Sequence, residues 1–264
     1  MNIICWWSAG VTSAVATKLA LDKYGPENVT IYYFKIDSAH TDNERFMREC
    51  EAWYGAKIHT VQSERYRDQF DVIEKRRYVN GPSGALCTFE LKKKLRQDIE
   101  SDHDYDGQVF GFEYTRKEIN RAIRFKEQYP DARPLFPLIE HKITKPEALY
   151  MLEDAGISRP VMYTLGYSNN NCIGCVKGGK GYWNKIRVDF PDTFDRMSKA
   201  ERDVGRSCIR DVFLDELISS AGREAKPIMP DCGNFCDLEF ADHEHPDLDV
   251  VYNDPQQLEL FGKE

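Results

Sequence analysis

Asn2-Ile3-Ile4-Cys5-Trp6-Trp7-Ser8-Ala9-Gly10-Val11-Thr12-Ser13-Ala14-Val15 decides how the rest of the chain is read. Five apolar residues, Ile3 to Trp7, run straight into a turn of small hydroxyl and glycine residues. Helical spacing follows from Ser13 to Lys23, through Val15, Leu19 and Ala20. A strand, a tight turn and a helix N-terminus in succession form a geometry that binds phosphate. The first helical N–H groups have no intrahelical acceptor, and the helix dipole favours an anion there. Gly10 permits close backbone approach, and Ser8, Thr12 and Ser13 offer hydroxyls. The same string also suits a plain capped turn, so its neighbours have to decide.

Downstream, strand and helix patterns alternate. Val29 to Ile36 is rich in β-branched and aromatic residues and ends at Asp37. Asp42 to Tyr54 places Phe46, Met47, Cys50 and Trp53 on one helical face. Ile58 to Val61 reads as a third strand, Phe89 to Ile99 as a charged helix, and Val109 to Phe112 as a fourth strand. Thr115 to Gln128 reads as a helix, and so does Lys145 to Ala155, with Pro146 at its first turn. This rhythm predicts an α/β fold: a doubly wound, mostly parallel sheet with helices on both faces and a Cys-rich C-terminal extension. The expected division is a nucleotide-binding domain over 1–165, a Cys-rich metal- or cluster-binding extension over 166–245, and a polar tail over 246–264.

The 264 residues carry a net charge of -8, which argues against a sequence-blind nucleic-acid binder but not against a local basic pocket. No run approaches the roughly 18 apolar residues of a membrane span. The start of the chain lacks a positive leader and reads as a strand, so no membrane association and a cytoplasmic location are expected. Thiols stay reduced there, and the eight cysteines then point to metal binding or catalysis rather than to disulfides. Cys172 and Cys175 form a Cys-x-x-Cys pair between turn formers, and Cys232 and Cys236 form a second close pair. Cys87 heads a helix, where the dipole lowers a thiol's pKa. Cys5 and Cys50 read as buried packing thiols, and Cys208 is left open. The Lys177 to Arg187 segment, with Tyr182 and Trp183 among lysines and glycines, suits an anionic substrate or a single strand of nucleic acid. His243 and His245 read as a surface loop.

The loop resembles the Ser-Gly-Gly-x-Asp-Ser phosphate loop of the adenine nucleotide alpha hydrolase superfamily. Ala9 stands for one glycine, and Thr12 for the aspartate that in the family helps hold magnesium. Cys87-Thr88-Phe89-Glu90-Leu91-Lys92 resembles the Cys-Cys-x-x-Arg-Lys block of the phosphoadenosine-phosphosulfate reductases. Gly111-Phe112-Glu113 with Glu118 and Arg121 resembles their Gly-x-Arg-x-x-Glu-x-x-Arg block without its first arginine. The segment from Pro134 to Leu138, the Cys172/Cys175 pair and Asp231-Cys232-Gly233-Asn234 have counterparts there too.

The resemblance implies an adenine nucleotide across Ser8, Ala9, Gly10, Thr12 and Ser13, with magnesium if the nucleotide is ATP; Asp37, at the carboxyl end of the expected second strand, is placed to touch its adenosine moiety. Gly111, Arg116 and Arg121, helped by Lys92 and Lys93, would lie beside its phosphates or sulfate. It implies a [4Fe–4S] cluster, or zinc, on Cys87, Cys172 and Cys175 with a fourth thiolate from Cys232 or Cys236. Cys236 is taken as the ligand and Cys232 as the catalytic nucleophile, although the sequence allows Cys232 either role. The implied activity is sulfonucleotide reduction with a thioredoxin-like reductant. Adenylating sulfur transfer to nucleic acid and nucleotide sensing without catalysis are the alternatives.

Overall fold

The computed structural model describes residues 1–79 and 84–222. Five parallel strands form one sheet in the order β3-β2-β1-β4-β5. They are β1 (Ile3–Trp7), β2 (Val29–Phe34), β3 (Ile58–Val61), β4 (Gly107–Val109) and β5 (Pro134–Leu135). β1 is central, pairing Ile3 with Val29 on one side and with Gly107 on the other. All five of its residues are buried, as expected of a parallel strand covered on both faces. Strand alternation sends Ile3, Cys5 and Trp7 to one core and Ile4 and Trp6 to the other.

The first core is closed by α1 (Val11–Tyr24), α2 (Asn43–Tyr54) and, further along the chain, α8 (Lys145–Asp154). α3 (Gln69–Arg76) follows β3, and the charged segment after it is broken into α4 (Leu86–Thr88), a π-helical turn (Phe89–Lys93) and α5 (Lys94–Asp102). α6 (Arg116–Gln128) closes the second face, where Phe110, Phe112, Phe125 and Phe136 pack together. Its N-cap is Thr115, the hydroxyl accepting from Glu118 N at 3.4 Å. α7 (Pro137–Glu140) leads to α8, whose Glu147 folds back onto the Thr144 N–H at 2.7 Å.

Three expectations are corrected. β2 stops at Phe34 rather than Ile36, although Lys35 N still reaches Val61 O at 2.8 Å. β4 lies at Gly107–Val109 rather than Val109–Phe112, which leaves Gly111 in the connection beyond its carboxyl end. The segment from Pro134, to which no strand is assigned from the sequence, supplies edge strand β5, where Pro134 needs no donor on its outer side.

The remaining described elements are α9 (Val161–Thr164), α10 (Lys180–Asp189) and α11 (Pro191–Val204). Their apolar faces share a third cluster with Phe70 and Ile73 of α3, including Tyr182, Trp183, Phe194 and Met197. Arg196 adds contacts to Asp68 and Glu74, both at 3.3 Å. The described part of the C-terminal segment thus shares an apolar core with α3.

Candidate functional site

β1 ends at Trp7, and the chain turns within three residues into α1. Ser13 shapes the turn. Its hydroxyl accepts from Ser8 N at 3.1 Å and from Ser8 Oγ at 3.0 Å, and it donates to Gly10 O at 2.9 Å. Ala9 takes a left-handed backbone, φ 58°, at the position where the resembling loops carry glycine. Gly10 is the N-cap, so the N–H groups of Thr12 and Ser13 fall in the first turn, which lacks intrahelical acceptors. Val11 N is met by Tyr163 Oη at 3.4 Å.

A cavity of about 140 Å³ opens over this turn. β2 and β3 extend to one side of β1 and β4 to the other, so the cavity sits at the switch point of the sheet, where open α/β sheets bind ligands. Ser8, Gly10, Thr12, Ser13, Gly111 and Arg121 all line it. Gly111 lies so close to the loop that a Cβ there would stand 2.6 Å from Ser13 N. Arg121 is buried against the Phe112 ring, 4.4 Å from its centroid, and is paired with Glu118 at 3.2 Å. Its Nε is buried without a hydrogen-bond partner. Ala9 is fully buried and holds the turn from behind.

Two sequence candidates stand elsewhere. Asp37 is exposed and lines neither this cavity nor the adjoining one; its carboxylate accepts from Gln62 Nε2 at 2.8 Å. The early end of β2 and the turn from Ile36 to Ala39 carry it outward. Arg116 is exposed at the start of α6 and is also outside the lining. Lys145, Tyr163 and the Asn169–Asn171 run, by contrast, line the cavity without having been singled out. Lys145 Nζ is held by Ser168 O and Asn169 Oδ1, both at 2.6 Å.

A smaller chamber of about 40 Å³ adjoins the first, sharing Trp6, Ser8, Asn170 and Asn171 with it. Lys92, from the π-helical turn, and Cys172 line this chamber. Both act on Tyr33, whose hydroxyl is raised by burial first; Cys172 adds to the rise and Lys92 opposes it. The loop bearing Cys172 and Cys175 is anchored from several directions. Ile173 N donates to Ser38 O at 2.9 Å, and Gln69 Nε2 donates to Ile173 O at 2.8 Å. The buried Tyr182 Oη accepts from Gly174 N and Cys175 N, each at 2.9 Å.

Cys87 packs at the edge of two apolar clusters, one bordered by Cys172 and the other containing Cys175. The three thiols thus share a neighbourhood. Among the described residues, however, no three His, Cys, Asp or Glu side chains are grouped as a metal ion requires. The described part of the cysteine set does not by itself fit a cluster or zinc. Cys232, Cys236, His243 and His245 lie outside the described residues. Cys5 and Cys50 are buried thiols, and burial raises both; Cys50 reaches about 12. Cys208 is likewise raised by burial and then by the adjacent Glu201 carboxylate.

The Lys177–Arg187 segment is corrected as a stacking platform. Tyr182 and Trp183 are fully buried in the third cluster. Lys185 pairs with Asp189 at 2.8 Å, and Arg187 donates to Leu217 O at 2.7 Å. No base can reach the aromatic pair in this arrangement.

The fold and cleft define a doubly wound α/β protein with a strand–turn–helix loop at its switch point. No family model matches the chain, and no curated protein matches it. Among solved structures it is similar to the phosphoadenylyl-sulfate (PAPS) reductase from Candida auris in a phosphate complex. That match has 13% identity and a TM-score of 0.48, covering 65% of this chain and 81% of that one. It is also similar to the U34-tRNA thiolase NcsA from Methanococcus maripaludis with its [4Fe-4S] cluster. There the identity is 13% and the TM-score 0.38, covering 87% of this chain and 84% of that one. No helix among the described residues is long and apolar enough to cross a membrane.

Proposed function

We propose that this chain is an enzyme of sulfur chemistry that binds an adenine nucleotide at the Ser8–Ser13 turn and works as a sulfonucleotide reductase. The observation that carries the reading is the pairing of two chambers. The cleft over the phosphate-type turn shares Trp6, Ser8, Asn170 and Asn171 with a second chamber lined by Cys172 and Lys92. A phosphate chain would lie against the first turn of α1, with Arg121 and Lys145 supplying positive charge. A cysteine thiolate would attack the sulfur of an activated sulfate, and the S–O bond to the nucleotide would break with its electron pair leaving on the phosphate oxygen. A thiol of a reductant would then attack the cysteine sulfur, releasing sulfite and leaving a mixed disulfide. The nucleophile proposed from the sequence is Cys232.

The test is anaerobic purification, an assay of iron, sulfide and zinc, and incubation with ATP and with the phosphosulfate nucleotide. Sulfite release that is lost in Cys232→Ser supports the proposal. ATP-dependent pyrophosphate release with a nucleic-acid acceptor and no sulfite would replace it with adenylating thiolation. Tight binding without any turnover would replace it with sensing.

A further inference from the structure

Asn170 lines both chambers while being 7% exposed. Its Nδ2 lies 2.7 Å from Ala9 O and 2.7 Å from Asn43 Oδ1. A main-chain carbonyl only accepts, so the amide nitrogen must face Ala9, and the orientation of the group is fixed. Asn43 agrees, because its own Nδ2 donates to Tyr33 Oη at 3.2 Å, which leaves its Oδ1 to receive Asn170. Both N–H donors of Asn170 are therefore used inside the protein. Its Oδ1 is buried and has no partner.

Buried carbonyl oxygens in folded proteins are as a rule satisfied by protein, water or ligand, and Asn170 belongs to the wall of both chambers, so a donor bound there is placed to reach this oxygen with a small shift of the side chain. The neighbouring polar groups are already committed: Ser8 Oγ to Ser13, and Lys145 Nζ to Ser168 and Asn169. Phosphate and sulfate oxygens are acceptors and cannot serve. The partner must bring an N–H or O–H donor.

We propose that Asn170 is a nucleoside-recognition residue whose Oδ1 accepts a hydrogen bond from an N–H or O–H of the bound nucleoside. This rests on the nucleotide reading above. Two groups of an adenine nucleotide have the required chemistry, a ribose hydroxyl and the exocyclic amine of the base. Asn170 also stands two residues before Cys172, so the same contact would fix the cysteine loop when the nucleotide is in place.

The experiment is calorimetry on the full chain with ATP, 2′-deoxy-ATP, 3′-deoxy-ATP and purine riboside triphosphate, which lacks the amine. One of the three analogues is expected to bind wild type at least about ten-fold more weakly than ATP, the scale of one lost hydrogen bond. The analogue that does so names the donor. In Asn170→Ala the penalty should shrink to under about two-fold, because the acceptor it depends on is gone. In Asn43→Ala it should persist, since that change disturbs the amide's support and leaves the acceptor. Should Asn170→Ala fail to fold, the side-chain carbonyl carbon resonance of Asn170 in wild type decides. It should move with ATP and stay in place with the weak analogue. Equal affinity for all four nucleotides, a penalty unchanged in Asn170→Ala, or a resonance indifferent to ATP overturns the assignment while leaving nucleotide binding intact. Binding of no nucleotide at all overturns both.

Discussion

Two loops face the cleft, and they are held in opposite ways. The Ser8–Ser13 turn draws most of its shape from its own residues, with the Ser13 hydroxyl joining Ser8 and Gly10 across five positions and only Tyr163 and Asn170 reaching it from afar. The Asn169–Cys175 loop takes most of its anchors from distant parts of the chain, Ala9, Ser38, Asn43, Gln69 and Lys145, and one from nearby Tyr182. The first loop is a local property of sequence. The second reports on how well several other elements are placed. Damage to the first should therefore remain local, whereas the second should respond to substitutions far from any cysteine.

The largest effect should come where the first loop meets another segment. Gly111→Val would drive a side chain into the Ser13 backbone, which cannot rotate away as a side chain could. Nucleotide binding should fall by more than about a hundred-fold, and stability by about 3 kcal/mol. Wild-type affinity in that variant would show that the loop is not where the ligand sits.

Tyr182→Phe should come next. It strips the acceptor from two buried N–H groups, Gly174 and Cys175, at a cost of about 2–4 kcal/mol in denaturant unfolding. Nucleotide affinity should stay within about three-fold if the loops are held independently. A parallel loss of affinity would mean that the cysteine loop supports the phosphate turn, a coupling that the Asn170–Ala9 contact makes possible. Smallest of all, Ala9→Gly should relieve the left-handed backbone at residue 9, worth about 1 kcal/mol or about 2–4 °C in Tm. No change on thermal melting would show that the buried methyl already offsets the backbone cost.

The same contrast explains what could be read from the sequence. β1, its turn and α1 are legible because an apolar run, small residues and helical spacing follow one another without interruption. Pro146 in a first turn is legible for the same reason. Tyr182 and Trp183 are not, because lysines, glycines and aromatics have one composition whether the rings face solvent or a core. Only partners remote in sequence, Phe70 and Phe194 among them, decide between the two. Lys145 and Tyr163 reach the cleft only because α8 docks on α1, a fact no local window contains. Asp37 was placed by a strand end two residues too late.

The third apolar cluster bears on how the chain is made. Phe70 and Ile73 of α3 are buried against Trp183 and Phe194, which lie more than about a hundred residues later. At synthesis rates of roughly 5–20 residues per second, α3 leaves the ribosome on the order of ten seconds before its partners exist. The sheet can begin to assemble in that interval, but the apolar face of α3 must wait uncovered. Nascent chains halted near residue 160 should accordingly be bound by chaperones, and chains released past residue 204 should not.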